Sequence, residues 1–526
     1  MERQDRTRTV TRRRLLGGVT AVLTGVVAGC SGSDDGATVT TTDQPAIPTA
    51  TPTSTPELPN VQTRIVQRDR AAITHVNARV SGDVTWPSLT VIDPTQIYGM
   101  WDQIDGQDAI QFAPDGEFTI QTSEQTIGGE YRINQGRELL LKTDNGTVRY
   151  TYRRAADASG VVMEFLRDGN VVDRYRRRST PDMDPVDAVQ DLRVERDRSE
   201  TATTQGNQLE SGATGSGFFV TPDGYLLTNA HVVLADTDPR QLLFQRLARR
   251  TATSLQESLR ENLAGAELTD AERAEIEQVL FDKLLAYFGE YTRISNTETA
   301  FNVLNGRATP DDDIKVASWE ATVEAAGTVV TEVGGQRTWG RDIAVMKVDR
   351  ENLPSVTLGS SSDLTTGNDL YVIGYPDIGI HDLFEDRDRA LEPTLTTGVV
   401  SARRTLNSGI ETIQTDAAIN SGNSGGPMYD DSGEVVGIAT FGPSDAGIED
   451  VQFGLPVEVG KTMLDDLGIE NRSGEMDTAF DEGIAAYWRG DCEMAVERMD
   501  RVLELYPEHP YASQYIEDCE SGGASG

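Results

Sequence analysis

Cysteine and histidine are the scarcest reactive side chains in this chain: three cysteines and four histidines among 526 residues. Cys30 lies near the start, and Cys492 and Cys519 lie near the end. The long middle therefore holds no thiol, and a cysteine nucleophile is excluded there. Lysine is also nearly missing, because Lys142, Lys283, Lys315, Lys347 and Lys461 are the whole complement and the other basic residues are arginine. Positive charge as such is short: 47 basic residues face 85 acidic ones, for a net charge of −38 and a pI near 4.4. A chain this acidic repels nucleic acid, which excludes it as a partner, and it repels itself unless salt screens the charge. The apolar stretch from Leu15 to Gly29 is too short and too rich in glycine to read as a membrane span. There is no cluster of metal-ligating residues and no glycine loop of the kind that cradles phosphate, so no cofactor is expected.

What is present begins with an address. The first 29 residues carry six arginines against Glu2 and Asp5, a reversal of the charge found everywhere else. Thr11-Arg12-Arg13-Arg14-Leu15-Leu16 resembles a twin-arginine export signal, and Val27-Ala28-Gly29-Cys30 resembles the lipobox at which a lipoprotein is cut and acylated. The resemblance implies a lipid on Cys30 that would tether the protein to the outer face of the cell membrane. Residues 30–61 are Ser, Thr, Pro, Asp and Ala with almost nothing to bury, the composition of an extended stalk. The acid is spread over every later segment, a composition similar to that of proteins from salt-loving organisms. In an exported chain a Cys492–Cys519 bridge and two free thiols are both open.

The organisation expected for the body is mostly β. From 62 to 180 the apolar residues alternate with period two in short runs such as Asp108–Phe112, Gly116–Ile120 and Val161–Phe165. Hairpin signals separate them, for example Pro114-Asp115-Gly116 and Asp144-Asn145-Gly146. An antiparallel meander of some six strands follows, similar to the small lipocalin-like domains of surface proteins. Trp101, Phe112 and Phe118 are read as its core rather than as a ligand box. Residues 181–210 read as a linker. Within 211–470 a β-domain is interrupted at 238–310 by helical spacing. There Thr269 and Glu272 form a capping box, and Val279, Leu280, Leu284 and Phe288 an apolar face. This insertion is expected to serve as a lid, an oligomer contact or an access element. From 475 to 520 two further helices are spaced as a hairpin, Phe480, Ile484 and Tyr487 facing Ala495, Met499, Val502 and Leu505.

Chemistry concentrates at three points. Ser424 stands between Gly422-Asn423 and Gly425-Gly426, a backbone able to turn a hydroxyl outward and leave N–H groups free. The N–H groups of Gly422 and Ser424 are the expected oxyanion donors. His231 lies 193 residues upstream, at the end of an expected strand, and Asp342 opens another between them. A serine nucleophile, an imidazole base and a carboxylate that orients the imidazole are complementary roles. Thr228-Asn-Ala-His-Val-Val, Asp342-Ile-Ala-Val-Met-Lys and Gln414-Thr-Asp-Ala-Ala-Ile-Asn-Ser-Gly-Asn-Ser-Gly-Gly-Pro resemble the three signature blocks of the HtrA/Deg branch of trypsin-like serine proteases.

That resemblance covers about 211 to 465 and implies two six-stranded antiparallel barrels. His231 and Asp342 would come from the first and Ser424 from the second. It further implies that Thr440, Phe441 and Gly442 pair with substrate backbone, and that the Thr440 hydroxyl supports Asp342. Asn423 stands where digestive relatives have an aspartate for a newly cut N-terminus, so activation by propeptide cleavage is not expected. Ala418 stands where an aspartate would select Lys or Arg, which implies a small or medium apolar residue before the cut. The acidic stretch 377–392 is a long loop able to gate the site. The PDZ domain usual in this family is replaced by the C-terminal helices, which resemble one tetratricopeptide unit that needs the protease or a partner to dock on, the alternative being a plain helical hairpin that caps a barrel. The expected function is hydrolysis of exported or unfolded proteins, against the alternative of an idle peptide-binding scaffold at the cell surface. An oligomer or partner contact through the insertion or the tail is also expected.

Overall fold

The structure, a computed structural model, describes residues 58–180, 184–260, 268–308, 314–375, 392–420, 422–441 and 452–522. Cys30, the stalk, Gly442 and nearly all of the acidic 377–392 stretch lie outside these residues.

Helix α1 (Val61–Asp69) starts where the Asn60 side chain accepts the Thr63 N–H at 2.8 Å. It leads into β1 (Ile73–Pro87), a 15-residue strand whose inward positions include Val76, Ala78, Val80 and Val84. The short β2 (Leu89–Ile92) follows. Then come eight strands: β3 (Gly99–Gln103), β4 (Ala109–Phe112), β5 (Glu117–Gln121), β6 (Thr126–Asn134), β7 (Glu138–Thr143), β8 (Gly146–Asp157), β9 (Gly160–Arg167) and β10 (Asn170–Ser179). Each pairs with the next, and β10 closes on β3, so the meander is a complete eight-stranded barrel rather than an open array of six. Closure removes the exposed sheet edges. Trp101, Phe112 and Phe118 fill its interior as expected.

The chain then forms α2 (Pro185–Gln190), β11 (Arg193–Arg196), β12 (Thr204–Phe219) and β13 (Tyr225–Thr228). Helices α3 (Pro239–Arg260) and α4 (Asp270–Tyr291) follow. After them come β14 (Arg293–Ala308), β15 (Ile314–Ala326), the hairpin β16 (Val330–Val333) and β17 (Gln336–Trp339), and β18 (Ala344–Val348). Strands β1, β12, β13, β18, β15 and β14 close in that order into a second barrel.

This corrects the boundaries expected from sequence. Residues 73–87 belong not to the meander but to the barrel that continues at 204, where Ile73 faces Phe218 and Pro87 faces Thr204. The small barrel is thus inserted at the end of a long β1–β12 hairpin, which β2 and β11 extend from Leu89↔Arg196 to Ile92↔Arg193. Its two ends meet, because Met100 pairs with Ser179. Period-two alternation marks a strand but carries no record of which strand it pairs with, and here the partner lies more than a hundred residues away.

Two smaller corrections follow. The expected linker 181–210 contains α2, β11 and the start of β12, and the last part of the expected helical insertion, Arg293–Ala308, is β14. The helices themselves form as read. Glu272 N donates to Thr269 Oγ1 at 3.2 Å, Thr269 N donates to Glu272 Oε2 at 2.7 Å, and Leu280, Leu284 and Phe288 are buried. They cover the far ends of the long strands. Leu243 and Leu247 of α3 and Leu280 and Leu284 of α4 share a core with Val80 and Val84 of β1 and with Val186 and Val189 of α2.

A third barrel is built from β19 (Asp369–Gly374), β20 (Thr394–Thr405), β21 (Glu411–Thr415), β22 (Pro427–Tyr429), β23 (Val435–Phe441) and β24 (Gln452–Pro456). Its own interior holds Leu370, Val372, Val400, Ile413 and Met428. A separate shared core, with Ile73, Phe218, Leu227 and Val345 from one barrel and Tyr371, Tyr429, Ile438 and Leu455 from the other, joins the two six-stranded barrels face to face. Helix α5 (Val457–Asp466) follows.

The chain ends in α6 (Glu475–Trp488), α7 (Cys492–Leu505) and α8 (Ala512–Glu520). These helices dock on the first six-stranded barrel, as a unit unable to bury its own apolar face should. Phe480, Met499, Tyr511 and Tyr515 are almost fully buried, each worth roughly 1.5–3 kcal/mol when taken out of water. Cys492 and Cys519 are joined by a disulfide that ties α7 to α8.

Candidate active site

His231 and Asp342 are brought together by one strand pair. β13 and β18 are antiparallel, with Thr228 opposite Ala344, so the residues just after β13 and just before β18 meet at the same end. His231 falls three residues past β13, not within it. Its Nδ1 lies 2.6 Å from Asp342 Oδ2, and its backbone N–H donates to Asp342 Oδ1 at 2.9 Å. A carboxylate only accepts, so the ring proton sits on Nδ1 and Nε2 is left as the basic lone pair. Asp342 is fully buried, while the His231 side chain keeps 35% of its surface exposed. The carboxylate is dry and fixed, and the base reaches the cleft.

Further donors hold this pair. Thr440 Oγ1 donates to Asp342 Oδ2 at 2.8 Å, from β23 in the other barrel, and Asn229 Nδ2 donates to the Asp342 carbonyl at 2.6 Å. Thr440 was legible in the sequence through resemblance alone. Asn229 stood inside a recognised motif with no role attached. Its neighbour Thr228 stood in the same motif, also without a role, and the distant Ser216 was not singled out.

Ser424 sits in the turn between β21 and β22, where Gly422 and Gly425 take φ of 94° and 87°. Only glycine adopts such angles without strain. Gly425 has a second reason to lack a side chain, since a Cβ there would collide with the Ser216 carbonyl. Ser216 fastens this turn to the first barrel. Its N–H donates to Ser424 O at 2.7 Å and its hydroxyl to Gly422 O at 2.7 Å. That hydroxyl in turn accepts the Tyr375 N–H at 2.8 Å, and Thr228 Oγ1 donates to Ser216 O at 2.7 Å. The flanking Gly215 and Gly217 were the available signal for so close an approach.

With the two carbonyls of the turn held from behind, the N–H groups of Gly422 and Ser424 make no hydrogen bond among the described residues. The Ser424 hydroxyl donates to the Thr440 carbonyl at 3.0 Å rather than to His231. Asn423 is buried; its Nδ2 lies 3.4 Å from Ala418 O, and its Oδ1 has no partner among the described residues. Ala418 is exposed, and its carbonyl accepts from Thr396 Oγ1 at 3.0 Å. Phe441 closes β23, one residue beyond Thr440. No group of metal-ligating residues is found among the described residues.

A serine, a histidine and a buried aspartate between two six-stranded antiparallel barrels define a fold and site of the trypsin-like class. Residues 294–438 match the family described as a trypsin-like peptidase domain, so the chain carries a domain of that kind. It is similar to a periplasmic serine endoprotease named as DegP-like from Halomonas elongata, 39% identical over 130 residues, which is 24% of this chain and 25% of the relative. It is also similar to the chloroplastic Protease Do-like 1 of Arabidopsis thaliana, 38% identical over 138 residues, covering 24% of this chain and 28% of the relative. The chain thus spans about a quarter of the length of the curated relatives it matches. Among solved structures, the serine endoprotease from Yersinia pestis is 22% identical, covers 48% of this chain and 57% of its own, and has a TM-score of 0.26.

Proposed function

We propose that this protein is a serine endopeptidase that cuts peptide bonds through an acyl-enzyme. His231, Asp342 and Ser424 form the triad, and the N–H groups of Gly422 and Ser424 receive the oxyanion. The observation that carries the reading is the His231–Asp342 pair, bonded twice and braced by Thr440, set against a glycine turn in which the N–H groups of Gly422 and Ser424 make no hydrogen bond among the described residues. This chemistry requires the Ser424 hydroxyl to turn from Thr440 O towards His231 Nε2. The imidazole then accepts its proton as Oγ attacks the substrate carbonyl, and returns that proton to the leaving amine. Each oxyanion donor contributes about a hundred- to a thousand-fold in rate.

The exposed methyl of Ala418 suits a small or medium apolar residue before the cut, and the strand ending in Phe441, with Gly442 after it, suits an extended substrate backbone. The printed description of the Halomonas relative as periplasmic agrees with an exported protein. A lipid on Cys30 would hold it at the outer membrane face, with exported or unfolded chains as substrates. Among the described residues no helix is long and apolar enough to cross a membrane.

One observation favours the idle-scaffold alternative, namely that Ser424 donates to Thr440 rather than to His231. A fluorophosphonate probe separates the two readings. At molar salt the probe is expected to label the wild-type chain at one serine and to leave Ser424→Ala unlabelled, with casein cleavage lost in parallel. Absence of label on folded wild-type protein, or cleavage retained in Ser424→Ala, overturns the peptidase assignment.

A further inference from the structure

Arg341, the residue before Asp342, lines a cleft of about 400 Å3 on the flank of the third barrel. Ile410, Pro456 and Val459 form its apolar floor, and Ser362 and Thr462 offer hydroxyls at its sides. Two carboxylates and two guanidinium groups line it, and three of these four are engaged. Arg403 donates to Ser361 O and, at 2.8 Å, to Glu411 Oε2. Glu458 accepts from Ser360 Oγ at 2.9 Å, from Ser361 N at 2.8 Å and from Ser361 Oγ at 2.7 Å. Burial works against the Glu458 charge, yet the hydrogen bonds from Ser361, Ser360 and its own backbone hold it below the usual carboxylate range. The nearby Lys461 is also occupied, on Gly359 O.

Arg341 differs. It is exposed and makes neither an ion pair nor a side-chain hydrogen bond among the described residues. Other exposed arginines, Arg240 and Arg350 among them, also lack an ion pair among the described residues, and what sets Arg341 apart is the apolar cleft beside it. A ligand for this cleft must satisfy one cation, and it must do so beside Glu411 and Glu458. A dianion such as a phosphate monoester would be opposed by both carboxylates, and a neutral apolar ligand would leave Arg341 unmatched. A single carboxylate with an apolar side chain meets both conditions, and the guanidinium fork fits carboxylate geometry.

We propose that this cleft binds the C-terminal residue of a peptide, with its carboxylate on Arg341 and its apolar side chain on Ile410, Pro456 and Val459. None of these residues belongs to the triad, so the proposal stands apart from the peptidase reading. It is tested on the full-length Ser424→Ala protein at molar salt, by fluorescence anisotropy of an N-terminally labelled hexapeptide ending in valine. Saturable binding is expected, weakened about tenfold or more when the carboxylate is amidated and by a similar factor in Arg341→Gln. Ile410→Glu should weaken it through the floor, and circular dichroism on both variants checks that the fold is kept. Equal binding of acid and amide, binding unchanged in Arg341→Gln, or no saturable binding at millimolar peptide each overturns the proposal. The second of these outcomes places the peptide in another groove.

Discussion

At the scale of the residue, the site depends on how a buried carboxylate is satisfied. Asp342 is out of water and receives the His231 ring, the His231 backbone N–H and the Thr440 hydroxyl. Removing one of these donors leaves a charge that water cannot reach to solvate. Thr440→Val is therefore expected to lower kcat/KM by about tenfold and stability by about 1–2 kcal/mol, measured by peptide hydrolysis and urea unfolding. Asp342→Asn should cost far more, on the order of ten-thousand-fold in kcat, because an amide can leave the imidazole in the wrong tautomer while the geometry survives. Two groups of the tail act oppositely on its pH response: Asp481 on α6, raised by burial to about 6, favours the folded state on the acid side, and His509 favours it on the alkaline side. His509 is buried, its Nδ1 accepting the N–H groups of Tyr511 and Ala512, and burial with Arg70 nearby pushes it from 6.5 down to about 3. Between those values the unfolded chain binds a proton that the folded one refuses, so stability rises with pH across the window and is fully present above it. The contribution is on the order of 5 kcal/mol. His509→Gln, whose amide oxygen still accepts, should flatten the unfolding midpoint between pH 3 and 6.5; an unchanged slope would show that other groups set it.

At the scale of the element, the tail is gripped at its two ends. Arg70, just past α1, stacks 3.6 Å from the centroid of the Tyr511 ring and reaches the Tyr515 hydroxyl at 3.3 Å. Trp488 Nε1 donates to Gln67 Oε1 at 2.6 Å, and Ser355 meets Asp477 twice. The Cys492–Cys519 bridge closes a separation of 27 residues, which in a chain-entropy account is worth about 3–4 kcal/mol. Reduction, or the Cys492→Ser/Cys519→Ser double variant, is expected to loosen α8 first. Amide exchange should then rise in 512–520 well before it rises in the barrels, whereas uniform exchange would mean that α8 is held by packing alone. Helices α3 and α4 form where their periodicity and the Thr269 capping box place them. Their position over the ends of β1, β12 and β14 depends on those strands outrunning the barrel, which no local pattern records.

At the scale of the molecule, the decisive feature is that the first six-stranded barrel begins before the small barrel and ends after it. β1 pairs with β12 on one side and β14 on the other, so it is a central strand and not a detachable leader. A fragment beginning at residue 211 retains His231, Asp342 and Ser424 yet lacks β1, and it is expected to be insoluble or unfolded by circular dichroism. Replacing 99–179 by a short Gly-Ser linker should leave a folded protein with activity within a fewfold of wild type, since Met100 and Ser179 already pair. If the 211 fragment folds cooperatively, or the excision abolishes folding, this account of the architecture fails.

The candidate site residues and the element types were legible in the chain itself. Three blocks around His231, Asp342 and Ser424, glycines at the turn, a capping box and period-two alternation are short-range signals, because a tight turn and a helix start are made by neighbours. Which strand pairs with which was not legible. Residues 73–87 alternate like any barrel strand, and only closure of the sheet assigns them to β12 and β14 rather than to the meander that follows them. Ser216 shows the same limit at one residue. The flanking Gly215 and Gly217 signal a close approach but not its partner, and the hydrogen bond to Gly422 exists because two barrels pack face to face and bring a serine to a carbonyl 206 residues away.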